Sequence, residues 1–486
     1  MVFSSIPFLY YFLPAVILCY FALSWVVEKA FVLISRNKAL AHKASIFTKN
    51  LILLVFSLVF YGWGEPRYLF LMIGTILMFW GCGLAMGKAK RKGWKKVWLI
   101  ISVVISLGLL AYYKYADFFI DNVNALTGLS IPLLKIALPV GISFYTFQAL
   151  SYVIDVYRGN VAVQKNPIYF GAYVALFPQL IAGPIVRYID VARELNDRVH
   201  TWDNAKLGLR RFIIGLAKKI IIADSFAALI AIFRDSGEPS VLFYWIYAFA
   251  FLFNIYFDFS AYSDMAIGLG KILGFNFIEN FNYPYMSKSV AEFWRRWHMS
   301  LGSWFRDYVY IPLGGNRVGK WRWLFNTCVV WFLTGMWHGA SWNFILWGLL
   351  YAVCLIFEKW VPAYKKVPGV IRHFITIMLV TLGFVLFNGE NMAQVGSDFA
   401  CLFGFGKLPL ISTETIYYLQ SFGVLFILGI VGCTPLVKNT AVRLSQSKGA
   451  GVAVAAVEGI VLILLLLICT GFLVDGSFSP FLYFRF

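Results

Sequence analysis

Two histidines, His298 and His338, are the side chains in this sequence best suited to acid–base chemistry. The other three, His42, His200 and His373, lie in or beside segments rich in Lys and Arg and read as solvated loop residues. His338 closes the apolar run Val329-Val330-Trp331-Phe332-Leu333-Thr334-Gly335-Met336-Trp337-His338, and a second run opens at Ser341-Trp342-Asn343-Phe344. A titratable ring between two apolar segments is expensive unless it is partnered, which marks it as a functional candidate. Imidazole is also the side chain that most readily takes a proton near neutral pH. A histidine hydrogen-bonded in a helix–helix turn would give the same pattern, so both readings stand. His298 follows Arg295, Arg296 and Trp297, and is either a polar residue at the membrane interface or the second member of the site.

Around the histidines stand the candidates for binding substrate. Arg295 and Arg296 have the planar forks that match phosphate oxygens, although arginines at this depth also meet anionic lipid headgroups. Trp337 and Asn343 flank His338. Asp258 belongs to a polar stripe, Asn254-Asp258-Tyr262, spaced one helical turn apart, with Asp264 beyond it. Carboxylates within a span face a bundle interior or a cavity, where they line a path or hold two helices together. The sequence has no GxSxG elbow, no phosphate-binding P-loop and no dinucleotide-binding glycine motif. Its seven cysteines, at 19, 82, 328, 354, 401, 433 and 469, form no CxxC pair, so neither a disulfide framework nor a metal site is expected.

The elements that must position these groups are membrane helices. Of the 486 residues 60% are hydrophobic and only 13% charged, with a mean hydropathy of +0.75. A soluble domain carries about 25% charged residues, so this chain lacks the polar surface for one. The apolar segments are continuous and long enough to cross a hydrocarbon core as helices, where a barrel would show short alternating strands. The expected fold is an all-α polytopic membrane protein forming one membrane domain over residues 1–486. Candidate spans lie near 8–30, 50–64, 67–87, 97–119, 136–155, 168–184, 212–233, 241–273, 323–337, 341–358, 371–388, 416–435 and 451–474. Residues 8–30 read as a retained first helix, because no basic segment precedes them.

The net charge of +19 sits in short segments between spans, as in Lys88–Lys96, which is the pattern of cytoplasmic loops and not of a nucleic-acid interface. Alternation works with the N-terminus outside, except that 158–166 and 187–211 are both basic with only 168–184 between them. That stretch carries Pro178, Gly183 and Pro184, so a re-entrant segment is expected. Residues 274–322 form an amphipathic cytoplasmic-side insertion. Within it Ser289 and Glu292 have capping-box spacing, a helix is expected from Val290 to Leu301, and Glu292 can pair with Arg296.

In these stretches the chain resembles the membrane-bound O-acyltransferases, in particular the bacterial branch that O-acetylates alginate. The resemblance rests on Gly141–Gln148, Phe177–Pro184, Glu292–His298, Tyr308–Arg317, Gly335–Trp342 and the closing Phe481-Leu482-Tyr483-Phe484-Arg485-Phe486. It departs at Phe387-Asn388-Gly389, where relatives often carry an aromatic pair followed by Arg-Ala. The resemblance implies that His338 is the family's near-invariant histidine and that His298 occupies a second position usually held by His or Asn. It further implies a hollow membrane core where a cytosolic acyl donor meets an extracytoplasmic acceptor.

The expected donor is acetyl-CoA or a cytosolic acyl carrier, used as a substrate and not as a bound cofactor. His338 would act as general base, and His298 would orient the donor or stabilise the oxyanion. The expected partners are the lipid bilayer and an extracytoplasmic acetyltransferase with a serine-hydrolase-like (SGNH) domain that passes acetyl to an exopolysaccharide. The expected location is the cell membrane, with no metal and no nucleic acid involved. D-alanyl transfer to teichoic acid, as in a sister branch, and more remotely a secondary transporter using Asp258 and Asp264, are the alternatives.

Overall fold

The computed structural model describes residues 2–446 and 450–476 and is 78% helical, with no strand among the described residues. The closing motif at 481–486 lies outside the described residues. Nine helical segments among them are long and apolar enough to cross a bilayer: Pro7–Ser35, Lys38–Gly64, Pro66–Lys88, Lys92–Thr127, Val241–Ile272, Trp342–Trp360, Gly369–Asn388, Thr413–Gly432 and Gly451–Val474. The chain is therefore a multi-pass all-α membrane protein, and it groups into two compact units.

The first unit comprises Met1–Phe212 and Ser263–Ile278. It begins with α1 (Leu13–Ser35) and α2 (Lys38–Gly64), a helical hairpin. Arg36 turns the chain in a left-handed conformation, and the Asn37 side chain then accepts from the Ala39 and Leu40 amides to start α2. There follow α3 (Leu69–Lys88), α4 (Lys92–Leu110), α5 (Ala116–Thr127), α6 (Ile142–Arg158), α7 (Pro167–Ala175), α8 (Tyr188–Asn196) and most of α9 (Trp202–Ala217). The span expected at 136–155 begins as a helix only at Ile142. Pro139 and the left-handed Gly141 (φ 76°) precede it, and a Cβ on Gly141 would stand 2.8 Å from the Leu180 carbonyl oxygen.

No straight helix fills 168–184, as Pro178 and Gly183 foretell. Helix α7 stops at Ala175, and residues 176–187 run as buried irregular chain. Irregular backbone away from water needs partners for its amides and carbonyls. Here the Phe177 amide donates to Ser57 Oγ (3.1 Å), the Tyr173 hydroxyl donates to the carbonyls of Gln148 and Val186 (3.1 Å each), and the Gln179 amide side chain donates to the Tyr173 carbonyl (2.8 Å). Phe3, Phe8, Phe12 and Phe60 pack around Phe177.

The second unit comprises Ile213–Tyr262 and Glu279–Phe486. The expected span 212–233 is interrupted by a wide π-type turn at Lys218–Ala223 before α10 (Asp224–Arg234). Helix α11 (Val241–Ile272) follows, and then the mixed segment that holds α12 (Val290–Arg296) and α13 (Met299–Phe305). Helices α14 (Lys320–His338) and α15 (Trp342–Trp360) form a second hairpin, followed by α16 (Gly369–Asn388), α17 (Met392–Leu402), α18 (Thr413–Gly432), α19 (Leu436–Ser445) and α20 (Ala450–Val474).

The hairpin of α14 and α15 is unusually close. A Cβ on Gly335 would run into the Phe344 carbonyl oxygen, and one on Gly348 into that of Trp331. Glycine at both sites lets the backbones touch. The core of this unit is aromatic, with Tyr285, Phe293, Trp297, Trp347, Tyr351, Phe384 and Phe387 all buried.

Candidate active site

Within the mixed segment, α12 is held at its N-terminal end by carboxylates. Ser289 Oγ accepts from the Glu292 amide (3.0 Å), while the Glu292 carboxylate accepts from the Lys288 amide (3.0 Å) and pairs with Arg296 (2.8 Å). Glu358, near the end of α15, accepts from the amides of Val290 (2.6 Å) and Ala291 (3.0 Å). The first turn of α12 thus has partners for its exposed amides and negative charge at its positive end. The capping residue and the Glu292–Arg296 pair are where the spacing places them.

The helix itself is shorter than expected. It stops at Arg296 instead of running to Leu301, and His298 adopts a left-handed conformation (φ 43°, ψ 52°) before α13 begins. The cause is a neighbouring stretch of chain that takes over the helix's hydrogen bonds. The Arg296 carbonyl accepts from the Asn282 amide and the Met299 amide donates to the Asn280 carbonyl, both at 2.9 Å. A non-glycine residue held this way costs about 1–3 kcal/mol and persists only where its surroundings fix it.

His298 is 2% exposed. Its Nδ1 lies 3.0 Å from Asn280 Oδ1, and the edge of its ring meets Phe259 with 4.7 Å between centroids. Burial pushes its imidazole down to about 3, so the ring is neutral at physiological pH. His338 is the last residue of α14 and is also buried, with its ring edge-on to Trp347 (5.0 Å) and Phe387 (5.3 Å). Trp337 packs against both rings, 5.9 Å from His298 and 5.0 Å from His338.

Both histidines line one cavity of about 1280 Å³ within the second unit. Ligand pockets usually enclose about 300–1,000 Å³, so this one has room for a long substrate. Its wall has two chemical parts. Trp294, Trp297 and Trp331 accompany the histidines, while among the described residues Arg295, Arg306, Lys359, Lys365 and Arg372 supply five cations against the single carboxylate of Glu358. That carboxylate is occupied by the α12 amides, so the lining favours an anion.

Of the residues singled out in the sequence, His298, His338 and Arg295 meet in this cavity. The others stand behind or beside it. Arg296 is engaged by Glu292 and the Asn282 carbonyl. Trp337 is a wedge between the two histidines. The Asn343 amide donates to the carbonyls of Phe387 (3.2 Å) and Gly389 (2.8 Å), tying α15 to the end of α16. Asp258 pairs with Lys219 (2.8 Å), which also pairs with Asp224 (2.7 Å), while Asn254 donates to the Ala223 carbonyl (2.8 Å). The polar stripe of α11 therefore grips the π-type turn. Asp264, in the first unit, pairs with Arg211 (2.9 Å).

Sequence reasoning missed Asn280, Ser300 and Glu358. Their roles depend on contacts with residues brought together by folding, and nothing in the local sequence sets Asn280 apart from its neighbours Asn276 and Asn282.

The family model for membrane-bound O-acyltransferases matches residues 161–389, which include both cavity histidines. A Pseudomonas putida protein named "Probable alginate O-acetylase AlgI" is 37% identical over the whole of both chains. The "Peptidoglycan O-acetyltransferase" of Helicobacter pylori is 32% identical over 81% of this chain and 78% of its own. The "Teichoic acid D-alanyltransferase" of Bacillus subtilis is 31% identical over 52% of this chain and 69% of its own. With a full-length relative at this identity and the family match spanning the histidine-lined cavity, the chain belongs to the membrane-bound O-acyltransferase family.

Proposed function

We propose that this protein transfers an acetyl group from a cytosolic thioester, acetyl-CoA, to a hydroxyl acceptor on the extracytoplasmic side, for delivery to a cell-surface polysaccharide. The observation that carries the reading is the joint lining of one cavity by His298, His338 and five cations. The cations suit the phosphates of a nucleotide thioester, since guanidinium forks and ammonium groups both bind phosphate oxygens. His338 acts as general base: it takes the acceptor's hydroxyl proton as the oxygen attacks the thioester carbonyl. The new C–O bond forms, the C–S bond breaks, and the departing thiolate recovers the proton from the imidazolium. The immediate acceptor is a partner with a serine-hydrolase-like domain, which passes the acetyl group on. Acetyl is favoured over D-alanyl because the alginate O-acetylase relative spans the whole chain while the D-alanyltransferase spans about half.

The test compares polysaccharide-bound acetyl ester in cells carrying the native chain, His338→Ala or neither, with membrane levels of each protein measured in parallel. Loss of ester with His338→Ala at normal protein level is the expected result. Undiminished ester overturns the base assignment.

A further inference from the structure

We infer that Asn280 is a positioning residue for this acyl transfer: it holds His298 with its hydrogen on Nδ1, which makes Nε2 a hydrogen-bond acceptor. The inference rests on the acyltransfer reading above and gives His298 a defined polarity within it.

The argument is one of donors and acceptors. Asn280 is fully buried, and its Oδ1 lies 3.0 Å from His298 Nδ1, 2.8 Å from Ser300 Oγ and 3.3 Å from the Ser300 backbone nitrogen. A backbone N–H can only donate, so the atom it meets is the amide oxygen and not the amide nitrogen. That oxygen can only accept, so Nδ1 must carry the ring hydrogen. The Ser300 hydroxyl is nearer to Oδ1 than to Nδ1, which stands 3.4 Å away, and gives its hydrogen to the amide oxygen. A neutral imidazole holds one hydrogen, so Nε2 carries the lone pair.

Asn280 also fixes where the ring stands. Its carbonyl oxygen accepts from the Met299 amide (2.9 Å), so side chain and main chain together hold the left-handed turn at His298. Hydrogen-bond partners that fix an imidazole's tautomer and orientation are a recurrent device at working histidines. A neutral ring of this polarity cannot donate from Nε2 to an oxyanion. It can accept an N–H or O–H of a bound substrate, which fits the first of the two roles expected for it, orienting the donor, and not the second, stabilising the oxyanion.

The test uses the full-length protein, labelled with ¹⁵N-histidine, and two readouts. The His298 imidazole nitrogens, assigned by difference against His298→Gln, report the tautomer, and the turnover of acetyl thioester reports kcat and KM. The parent and Asn280→Asp, which keeps an acceptor oxygen, are expected to show hydrogen on Nδ1. Asn280→Ala is expected to lose that preference and about 10- to 100-fold in kcat, the usual cost of removing such a partner. Asn280→Asp is expected to recover most of it. A parent spectrum with the hydrogen on Nε2, or a folded Asn280→Ala with parental kcat, overturns the inference. If Asn280→Ala does not fold, the parent spectrum and Asn280→Asp decide. The parent and His338→Ala, run alongside, separate the two readings: no thioester turnover by the folded parent removes the acyltransfer reading, full activity in His338→Ala removes its base assignment, and loss there with unaffected Asn280 variants removes only this inference.

Discussion

Replacing Gly348 by alanine tests how finely the contact between α14 and α15 sets the position of His338. The new Cβ would run into the Trp331 carbonyl oxygen and stand 3.2 Å from both the Trp331 carbonyl carbon and the Gly335 nitrogen. Carbon meets carbonyl oxygen comfortably at about 3.3–3.6 Å, so the helices must part by roughly 1 Å. Overpacking of this size costs about 1–3 kcal/mol, which a large helical protein survives. Its effect on chemistry is greater. His338 ends α14 and leans on Trp347, the residue before Gly348, so parting the helices loosens the wall that orients it. A displacement of ~1 Å at a reacting group lowers the rate about 100-fold.

The assay is acetyl-thioester turnover by the purified protein at saturating donor, with thermal unfolding in detergent measured on the same samples. Gly348→Ala is expected to stay folded and lose about 100-fold in kcat. The donor KM should change less than kcat, because four of the five cations, Arg295, Arg306, Lys365 and Arg372, lie on α12, α16 and connecting segments, and Lys359 alone stands on α15. Gly74→Ala and Gly81→Ala on α3 serve as controls, since a Cβ at either meets nothing within 4 Å. Parental kcat in Gly348→Ala, or equal losses in the controls, would refute the reasoning.

Three further outcomes are expected. Lys219→Met should lower the thermal midpoint sharply, because Lys219 and Asp258 are 2% and 3% exposed and breaking a buried pair costs about 3–5 kcal/mol; an unchanged midpoint would show that the pair contributes nothing. Arg295→Gln combined with Lys365→Gln should raise the donor KM with kcat nearly unchanged, and should flatten its dependence on salt; salt dependence equal to the parent's would show that these cations do not meet the donor. Acid should destabilise the fold, because His200, half-buried against the Tyr20 hydroxyl (3.0 Å) and not the solvated loop residue its basic surroundings suggest, is pushed down by burial to about 4, and His298 to about 3. With folded values below the unfolded value of about 6.5, the unfolded chain binds more protons between them, so stability is full above that pH and is lost as the pH falls. His200→Asn should flatten the loss of thermal midpoint between pH 6.5 and pH 4, and a curve parallel to the parent's would discount His200 as a contributor.

Much of the site was legible because its signals are local. Ser289 stands three residues before Glu292, and Arg296 one turn beyond, so cap and ion pair could be placed from spacing alone. His338 at the end of an apolar run announced itself in the same way. What escaped was set by residues distant in sequence. The break at His298 is imposed by Asn280 and Asn282, whose hydrogen bonds compete with helix continuation. The partner of Asp258 is Lys219, far back along the chain on a turn that sequence reads as unbroken helix. The cationic wall draws on five separate segments, of which only the one carrying Arg295 was read as facing a substrate. The spans were located well where hydrophobicity was continuous and poorly where Pro139, Gly141 or Pro178 halted a helix inside an apolar stretch.

The buried irregular chain at 176–187 bears on how the protein is made. Phe3, Phe8, Phe12 and Phe60 pack it, and Ser57, Tyr173 and the Gln148 side chain, which donates to the Gln179 carbonyl (3.5 Å), satisfy it; all precede it or stand at its threshold. Synthesis from the N-terminus therefore delivers this stretch to a receptacle whose walls have already been translated. Most of it need not wait in lipid with bare amides for a later helix to arrive, which would cost several kcal/mol for each unsatisfied group; the Arg187 amide at its far end takes its partner, Asp190, from the following helix α8. The order of segments along the gene product is thus also a workable order of biogenesis.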